Sequence, residues 1–322
     1  MVLLLIPGIL DKDKALSQDS EVPKKPPKLD LDAMLPSWEL SMRAERKSAS
    51  TIKNYTKGVR SFLEWCDDNR HPRALDKTLA KMWVADLLDA GAEPSTATAR
   101  QLGLRRFSAW LEDEGEITDD PLLGLKSPKI DKKVTESLTE DELKRLIKAC
   151  AGKEFRDRRD EAIVRLMAET GMRAGEVVAL EVTDMNLGRG LATVTRGKGG
   201  KGRVAPFSAQ TGIAIDRYLR ARRTHRLADS APLWLGDRGK GLSYYGLHAA
   251  LKHRAERAGL TGFHPHLMRH TAATRWLRAG GSEGGLMAVA GWATRDMIDR
   301  YTGASAAERA ADEARTLNLG DL

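Results

Sequence analysis

Hydrophobic and polar positions follow a helical period over most of the chain. From Trp38 to about Leu125 the apolar residues recur at spacings of three and four. Ile52, Tyr55, Val59, Phe62, Leu63 and Cys66 form one such stripe, with Lys53, Lys57 and Arg60 on the opposite, solvated side. A second helix is expected over Leu79–Ala90, ending at Gly91. A third begins after Glu93-Pro94 with Ser95 as its cap. It runs through Leu102, Leu104, Phe107, Trp110 and Leu111 to Gly115. Its polar positions include Thr96, Thr98, Arg100, Arg105 and Arg106.

The period is lost over Pro121–Ser137, where Pro, Lys and Ser gather, and residues 127–136 read as an interdomain linker. Beyond it, Thr139-Glu140-Asp141-Glu142 is a capping box that opens a helix through Leu143, Leu146, Ile147 and Cys150. Further helices are expected over about Arg159–Glu169, stopping at Gly171, and over Ala174–Leu180. Leu191–Thr195 and Arg203–Phe207 alternate as strands around the glycine-rich tip Arg196-Gly197-Lys198-Gly199-Gly200-Lys201-Gly202. Helices then follow over Gln210–Leu227, Ser243–Ala258, His266–Ala279, Ser282–Ala290 and Thr294–Tyr301. A second capping box at Ser305–Glu308 opens an alanine-rich helix to about Thr316. The expected fold is mainly α with a small β-sheet (α+β). Its parts are a flexible arm at 1–36, a helical domain at 37–126, the linker, a second domain at 137–303 and a C-terminal helix and tail at 304–322.

Two domains also suit the length, since 322 residues exceed the roughly 250–300 at which single cores stop growing. The 53 Lys and Arg against 45 Asp and Glu give a net charge of +8, which favours an anionic partner, nucleic acid first. Cys66 and Cys150 form neither a disulfide framework nor a metal pattern, as expected in a reducing cytosol. The apolar opening MVLLLIPGIL lacks a basic flank, is broken by Pro7-Gly8 and is too short to span a bilayer. No membrane association is expected, and the protein is expected in the cytoplasm, on the nucleoid.

The candidate chemistry lies in the second domain. A phosphodiester is anionic and its alkoxide leaves poorly. Metal-free cleavage therefore needs cations at the non-bridging oxygens, a general acid and a nucleophile. Candidates for every role occur in order: Thr170-Gly171-Met172-Arg173-Ala174-Gly175-Glu176, then Gly197-Lys198-Gly199-Gly200-Lys201-Gly202-Arg203, then Pro265-His266-Leu267-Met268-Arg269-His270, then Ala290-Gly291-Trp292, and last Asp299-Arg300-Tyr301-Thr302-Gly303. Read alone, Arg173 is equally a helix-start arginine paired to Glu176, the glycine-rich tip a flexible basic hairpin, and Trp292 a core residue. A P-loop is excluded at the tip, because no G-x-x-x-x-G-K-[ST] occurs and a strand follows. His264, His266 and His270 have metal-like spacing, but no carboxylate or cysteine joins them and Arg269 intervenes, so no metal is expected.

Taken together, these motifs resemble the tyrosine recombinase (phage integrase) family over the whole second domain, and less specifically over residues 38–125. The resemblance implies that Tyr301 is the nucleophile and that Arg173 and Arg269 clamp the scissile phosphate. It makes His266 a proton-transfer and hydrogen-bonding group, Lys198 (or Lys201) the general acid, and Glu176 the residue that orients the site. Trp292 stands where most of the family carries histidine; an indole donates a hydrogen bond but does not titrate. The first domain resembles the family's core-binding domain, for which Lys53, Lys57, Arg60, Thr96, Arg100, Arg105 and Arg106 are candidate DNA contacts, with Lys201 and Arg203 from the hairpin. The implied activity is site-specific recombination through a 3′-phosphotyrosyl intermediate and a Holliday junction, without cofactor, by a homotetramer on double-stranded DNA. An accessory or directionality factor is a further partner the resemblance allows. With about 37 residues before the first helix, the arm-binding module some integrases carry is not expected. The alternatives are a type IB topoisomerase-like activity and a non-catalytic DNA-binding relative.

Overall fold

The computed structural model describes residues 29–130, 136–195, 202–237, 239–292, 294–298 and 315. The chain divides into two compact units, Met1–Asp131 and Lys132–Leu322.

The first unit is helical: α1 (Leu35–Ala44), α2 (Ala49–Asp68), α3 (Lys77–Asp89) and α4 (Pro94–Asp113). The stripe read from the sequence is its core. Val59, Phe62, Leu63 and Cys66 of α2 are buried with Trp38, Trp83, Leu104, Phe107 and Leu111. α2 and α4 cross at two glycines. A Cβ on Gly58 would meet the Arg100 carbonyl oxygen at 2.4 Å, and one on Gly103 would meet that of Tyr55 at 2.6 Å. Only glycine lets the two backbones approach so closely. Two expectations need correction here. The α4 N-cap is Glu93, with Pro94 in the first turn, so Ser95 lies inside the helix; proline fits at a position whose amide has no helical acceptor. Leu31 and Leu35 are buried in this core, so the packed unit begins within the stretch expected to be a flexible arm.

The second unit holds α5 (Glu140–Ala149), α6 (Phe155–Thr170), α7 (Ala174–Val178), β1 (Met185–Asn186), β2 (Leu191–Val194), β3 (Arg203–Pro206), α8 (Ala209–Arg222), α9 (Tyr244–Arg257), α10 (Pro265–Arg278) and α11 (Glu283–Ala290). The strands form an antiparallel sheet in the order β1-β2-β3, with Leu191 opposite Pro206 and Val194 opposite Arg203. The hairpin is thus in the expected place, while β1, only two residues long, carries no period to detect. The Thr139 capping box forms as expected, its hydroxyl accepting from the Glu142 amide at 3.2 Å. α8 stops at Arg222, short of the expected Leu227. The buried Arg222 guanidinium turns back on the following chain, donating to the Pro232 carbonyl at 2.8 Å and to that of Leu233 at 3.2 Å.

The core of this unit runs from Leu143 and Leu146 through Ile163, Leu166 and Met167 of α6 to Leu247, Leu251, Leu267 and Met268. One buried cluster of charges is paired within itself. Arg254 donates to Asp160 at 2.8 Å and to Asp157 at 2.9 Å, and Arg159 donates to Asp160 at 2.9 Å. Leaving one partner alone would strand a charge in a poorly solvated interior. No described helix is long and apolar enough to cross a membrane.

Candidate active site

Arg173 is placed by a helix end and a helix start. Gly171 ends α6 in the left-handed conformation at φ 60°, returning its amide to the Met167 carbonyl. Two residues on, Arg173 caps α7 in an extended conformation. Its backbone amide donates to Glu176 Oε2 at 2.8 Å and its Nη1 to Oε1 at 2.8 Å, so one carboxylate fixes both main chain and guanidinium. The side chain keeps 28% of its exposure, while that of Glu176 keeps 6%. Burial alone would raise the Glu176 pKa. The hydrogen bonds from Arg203, then from the Arg173 amide, outweigh it and hold the carboxyl below the usual glutamate value.

Arg269 and His266 come from the first turns of α10. His264 caps that helix, its Nδ1 accepting from the Leu267 amide at 3.2 Å, and Pro265 follows at the first position. His266 and Arg269 are three positions apart, so both reach the same side of the helix. Arg269 is 2% exposed. It donates through Nη1 to the Gly171 carbonyl at 2.6 Å and through Nη2 to the Ala290 carbonyl at 2.7 Å. Those carbonyls end α6 and α11. The Trp292 ring lies under the guanidinium, 5.1 Å from its carbon. Trp292 follows Gly291, the left-handed cap of α11 at φ 64°, and is buried with Leu277, Leu286, Ala290 and Ile298. The His270 ring meets that of His266 edge to face, with ring centroids 4.5 Å apart.

These elements enclose a cleft of about 380 Å³, with Arg173, Glu176, Tyr244, His266 and Arg269 in its wall. Arg173, Arg269 and the N-terminal turn of α10 line one space, which suits an anion with several acceptor oxygens. Among the described residues no group of three or more His, Cys, Asp or Glu is arranged to hold a metal ion.

Of the residues singled out from the sequence, Arg173, Glu176, His266 and Arg269 are brought together here, with Trp292 stacked behind Arg269. Lys198, Lys201 and Tyr301 lie outside the described residues, as do Ser305–Glu308 and most of the expected last helices. Arg203 differs from the expected DNA contact. Its side chain is 9% exposed and engaged with Glu176, whose carboxylate supplies the counter-charge for the buried guanidinium. In the first unit, Lys53, Lys57, Arg60, Thr96 and Arg106 are exposed and Arg100 and Arg105 half-buried. Arg60 lies 3.6 Å from Glu39. At about 100° per residue, Arg105 stands about 140° round α4 from Arg100, so these arginines do not share one face.

Tyr244, which stands in no sequence motif, also lines the cleft, half-exposed in the first turn of α9 behind the Ser243 cap. Nothing in local spacing reports that approach, because α9 and α7 meet only in the fold. Tyr218, by contrast, is buried, donates to the Leu233 carbonyl at 2.9 Å, and has its phenol pushed up to about 12 by burial.

Residues 136–308 match the phage integrase family, and residues 34–114 match the phage integrase N-terminal SAM-like domain. The chain is 32% identical over 285 residues to the tyrosine recombinase XerC of Roseiflexus sp. (strain RS-1), covering 85% of this chain and 91% of that protein. The Tn1549 transposon integrase in complex with transposon right end DNA shares the fold with a TM-score of 0.68 at 16% identity, covering 90% of this chain and 99% of that one. A lambda integrase tetramer bound to a Holliday junction does so with a TM-score of 0.64 at 17% identity, covering 83% and 78%.

Proposed function

The chain belongs to the phage integrase family, and from that premise we propose that it exchanges DNA strands at specific sites through a covalent phosphotyrosyl intermediate. The scissile phosphate enters the cleft between Arg173 and Arg269, whose guanidiniums neutralise the charge that grows on its non-bridging oxygens. The Tyr301 phenolic oxygen attacks phosphorus and the P–O5′ bond breaks. The products are a 3′-phosphotyrosine and a 5′ oxygen that takes a proton from Lys198. His266 takes the phenolic proton and hydrogen-bonds the phosphate. A 5′-hydroxyl from the partner strand then reverses the step, forming a new P–O bond and releasing the phenol. One phosphodiester is exchanged for another, so the bond energy is retained and neither ATP nor a metal is consumed.

The observation that supports this reading most is the convergence of Arg173, His266 and Arg269 on one cleft with Glu176 fixing Arg173. The other partners follow the same premise. Double-stranded attachment or core sites bind the first unit through Lys53, Lys57 and Arg60 on one face of α2 and through Thr96 and Arg100, one turn apart on α4. Four protomers assemble on two sites through the segment after Tyr301, and an accessory or directionality factor selects the outcome. Residues 127–136 act as the linker between the DNA-binding and catalytic parts. The protein works in the cytoplasm, on the nucleoid.

The test is a nicked suicide substrate, on which wild type forms a covalent complex and Tyr301→Phe forms none. Absence of the complex in wild type, or its persistence in Tyr301→Phe, overturns the mechanism. Arg173→Ala and Arg269→Ala keep most DNA affinity and lose cleavage, because the cations act chiefly on the transition state. Strand exchange between two sites, set against plasmid relaxation by a monomer, separates recombination from topoisomerase-like activity.

A further inference from the structure

Arg203 opens β3 and sends its side chain inward. Nε donates to the Val289 carbonyl at 2.7 Å, in the last turn of α11. Nη1 donates to Glu176 Oε1 at 3.1 Å and Nη2 to Oε2 at 2.7 Å, a fork on both carboxylate oxygens. The same two oxygens hold the Arg173 guanidinium and amide. Gly291 leaves room for this arrangement, since a Cβ there would come within 3.0 Å of Arg203 Cδ and Nη1. One buried guanidinium thus ties the end of α11 and the foot of β3 to the carboxylate that orients Arg173.

Charge makes the arrangement more than a brace. A Glu176–Arg173 pair by itself is neutral and would offer a phosphate little net attraction. With Arg203 sharing the carboxylate, the trio carries one positive charge, and the part of it that faces the cleft is Arg173. We propose that Arg203 is a positioning residue for DNA cleavage. By holding Glu176 in a fork it fixes Arg173 and offsets the carboxylate, leaving the Arg173 charge available to the scissile phosphate. This rests on the reading of the cleft as the phosphate site.

The experiment measures single-turnover strand cleavage by the full chain on nicked substrates carrying either a phosphate or a methylphosphonate at the scissile position. The methylphosphonate replaces one anionic oxygen with a methyl group, so the charge that Arg173 meets is absent. Charged hydrogen bonds of this kind are worth about 1.5–3 kcal/mol, so Arg203→Met should slow phosphate cleavage about 10- to 100-fold. On the methylphosphonate its deficit relative to wild type should be at least about threefold smaller. Arg203→Lys keeps the charge without the fork, so its deficit on the phosphate and its selectivity should both be smaller. If Arg203→Met does not fold, Arg203→Gln, which also lacks the charge, replaces it with the same selectivity expected. A brace without electrostatic effect would slow both substrates alike, and that result overturns the proposal, as does an unchanged rate on the phosphate. A cycle with Glu176→Gln checks the route: in that background Arg203→Met should cost less than about threefold, and additive losses overturn it. Arg173→Ala is the control. Normal cleavage by that variant would mean that the reading of the cleft has failed. Loss of cleavage without selectivity at Arg203 would mean that only this inference has.

Discussion

Trp292 offers the sharpest separation between packing and chemistry, because it stands where most of the family carries histidine. It is 6% exposed, within a small cluster formed with Ala273 and Leu277 of α10 and Leu286 and Ala290 of α11. Burying a tryptophan removes about 150–250 Å² from water, which at about 25 cal/mol per Å² is about 4–6 kcal/mol. Truncation of such a residue costs about 3–5 kcal/mol once partial collapse is allowed for. The contact with Arg269, 5.1 Å from guanidinium carbon to ring centroid, contributes about 1–2 kcal/mol of this in a desolvated setting. Trp292→Ala is therefore expected to lower unfolding stability by about 3–5 kcal/mol, a large share of the roughly 5–15 kcal/mol of a typical protein. It also frees the end of α11, whose Ala290 carbonyl holds Arg269, so cleavage falls with stability. Trp292→Phe keeps a ring beneath the guanidinium, and should cost about 1–2 kcal/mol and cleave within about threefold of wild type. Urea unfolding and single-turnover cleavage on the suicide substrate read the two quantities separately. A Phe variant that is stable yet as slow as Ala would refute the packing account and assign the indole N–H a direct role.

Three further expectations follow from particular contacts. Because the Glu176 carboxyl is held below its ordinary value of 4.5, its contribution is present above that value and is lost as pH falls through the lowered one. Glu176→Gln should be less stable at neutral pH yet lose less on acidification, and urea midpoints with the same acid slope as wild type would contradict this. At the α2–α4 crossing, Gly58→Ala places a methyl 2.4 Å from the Arg100 carbonyl oxygen; it should cost about 1–3 kcal/mol or more and weaken DNA binding, which calorimetry and a binding titration would show. Tyr244→Phe removes a donor from the wall of the cleft and should slow cleavage about three- to tenfold with little change in melting temperature; an unchanged rate would place the phenol outside the reaction.

Local rules made much of this fold legible. The α2 stripe, the Thr139 capping box and the glycine stop at Gly171 each depend on residues within a turn or two of one another, so spacing reports them. The H-x-x-R placement of His266 and Arg269 is of the same kind. What the sequence concealed depends on meetings between distant segments. Arg203 follows a basic glycine-rich tip and reads as one more phosphate contact, yet its partner Glu176 is 27 residues away and Val289 is 86. Tyr244 had no motif around it and reaches the cleft only through the packing of α9. The early stop of α8 rests on Arg222 satisfying carbonyls of the chain that follows, for which no helix-ending residue stands in the sequence.

The seat of Arg269 bears on how the site comes into being during folding. The carbonyls that grip it belong to Gly171, 98 positions earlier, and Ala290, 21 positions later. Closing the longer of these loops carries an entropic cost that only a docked α6 and α10 can offset. Until α11 has also arrived, the guanidinium lacks its second anchor. The cleft therefore has no local precursor on a growing or partly folded chain. A centre proposed to cut DNA is assembled only once the elements around it are complete.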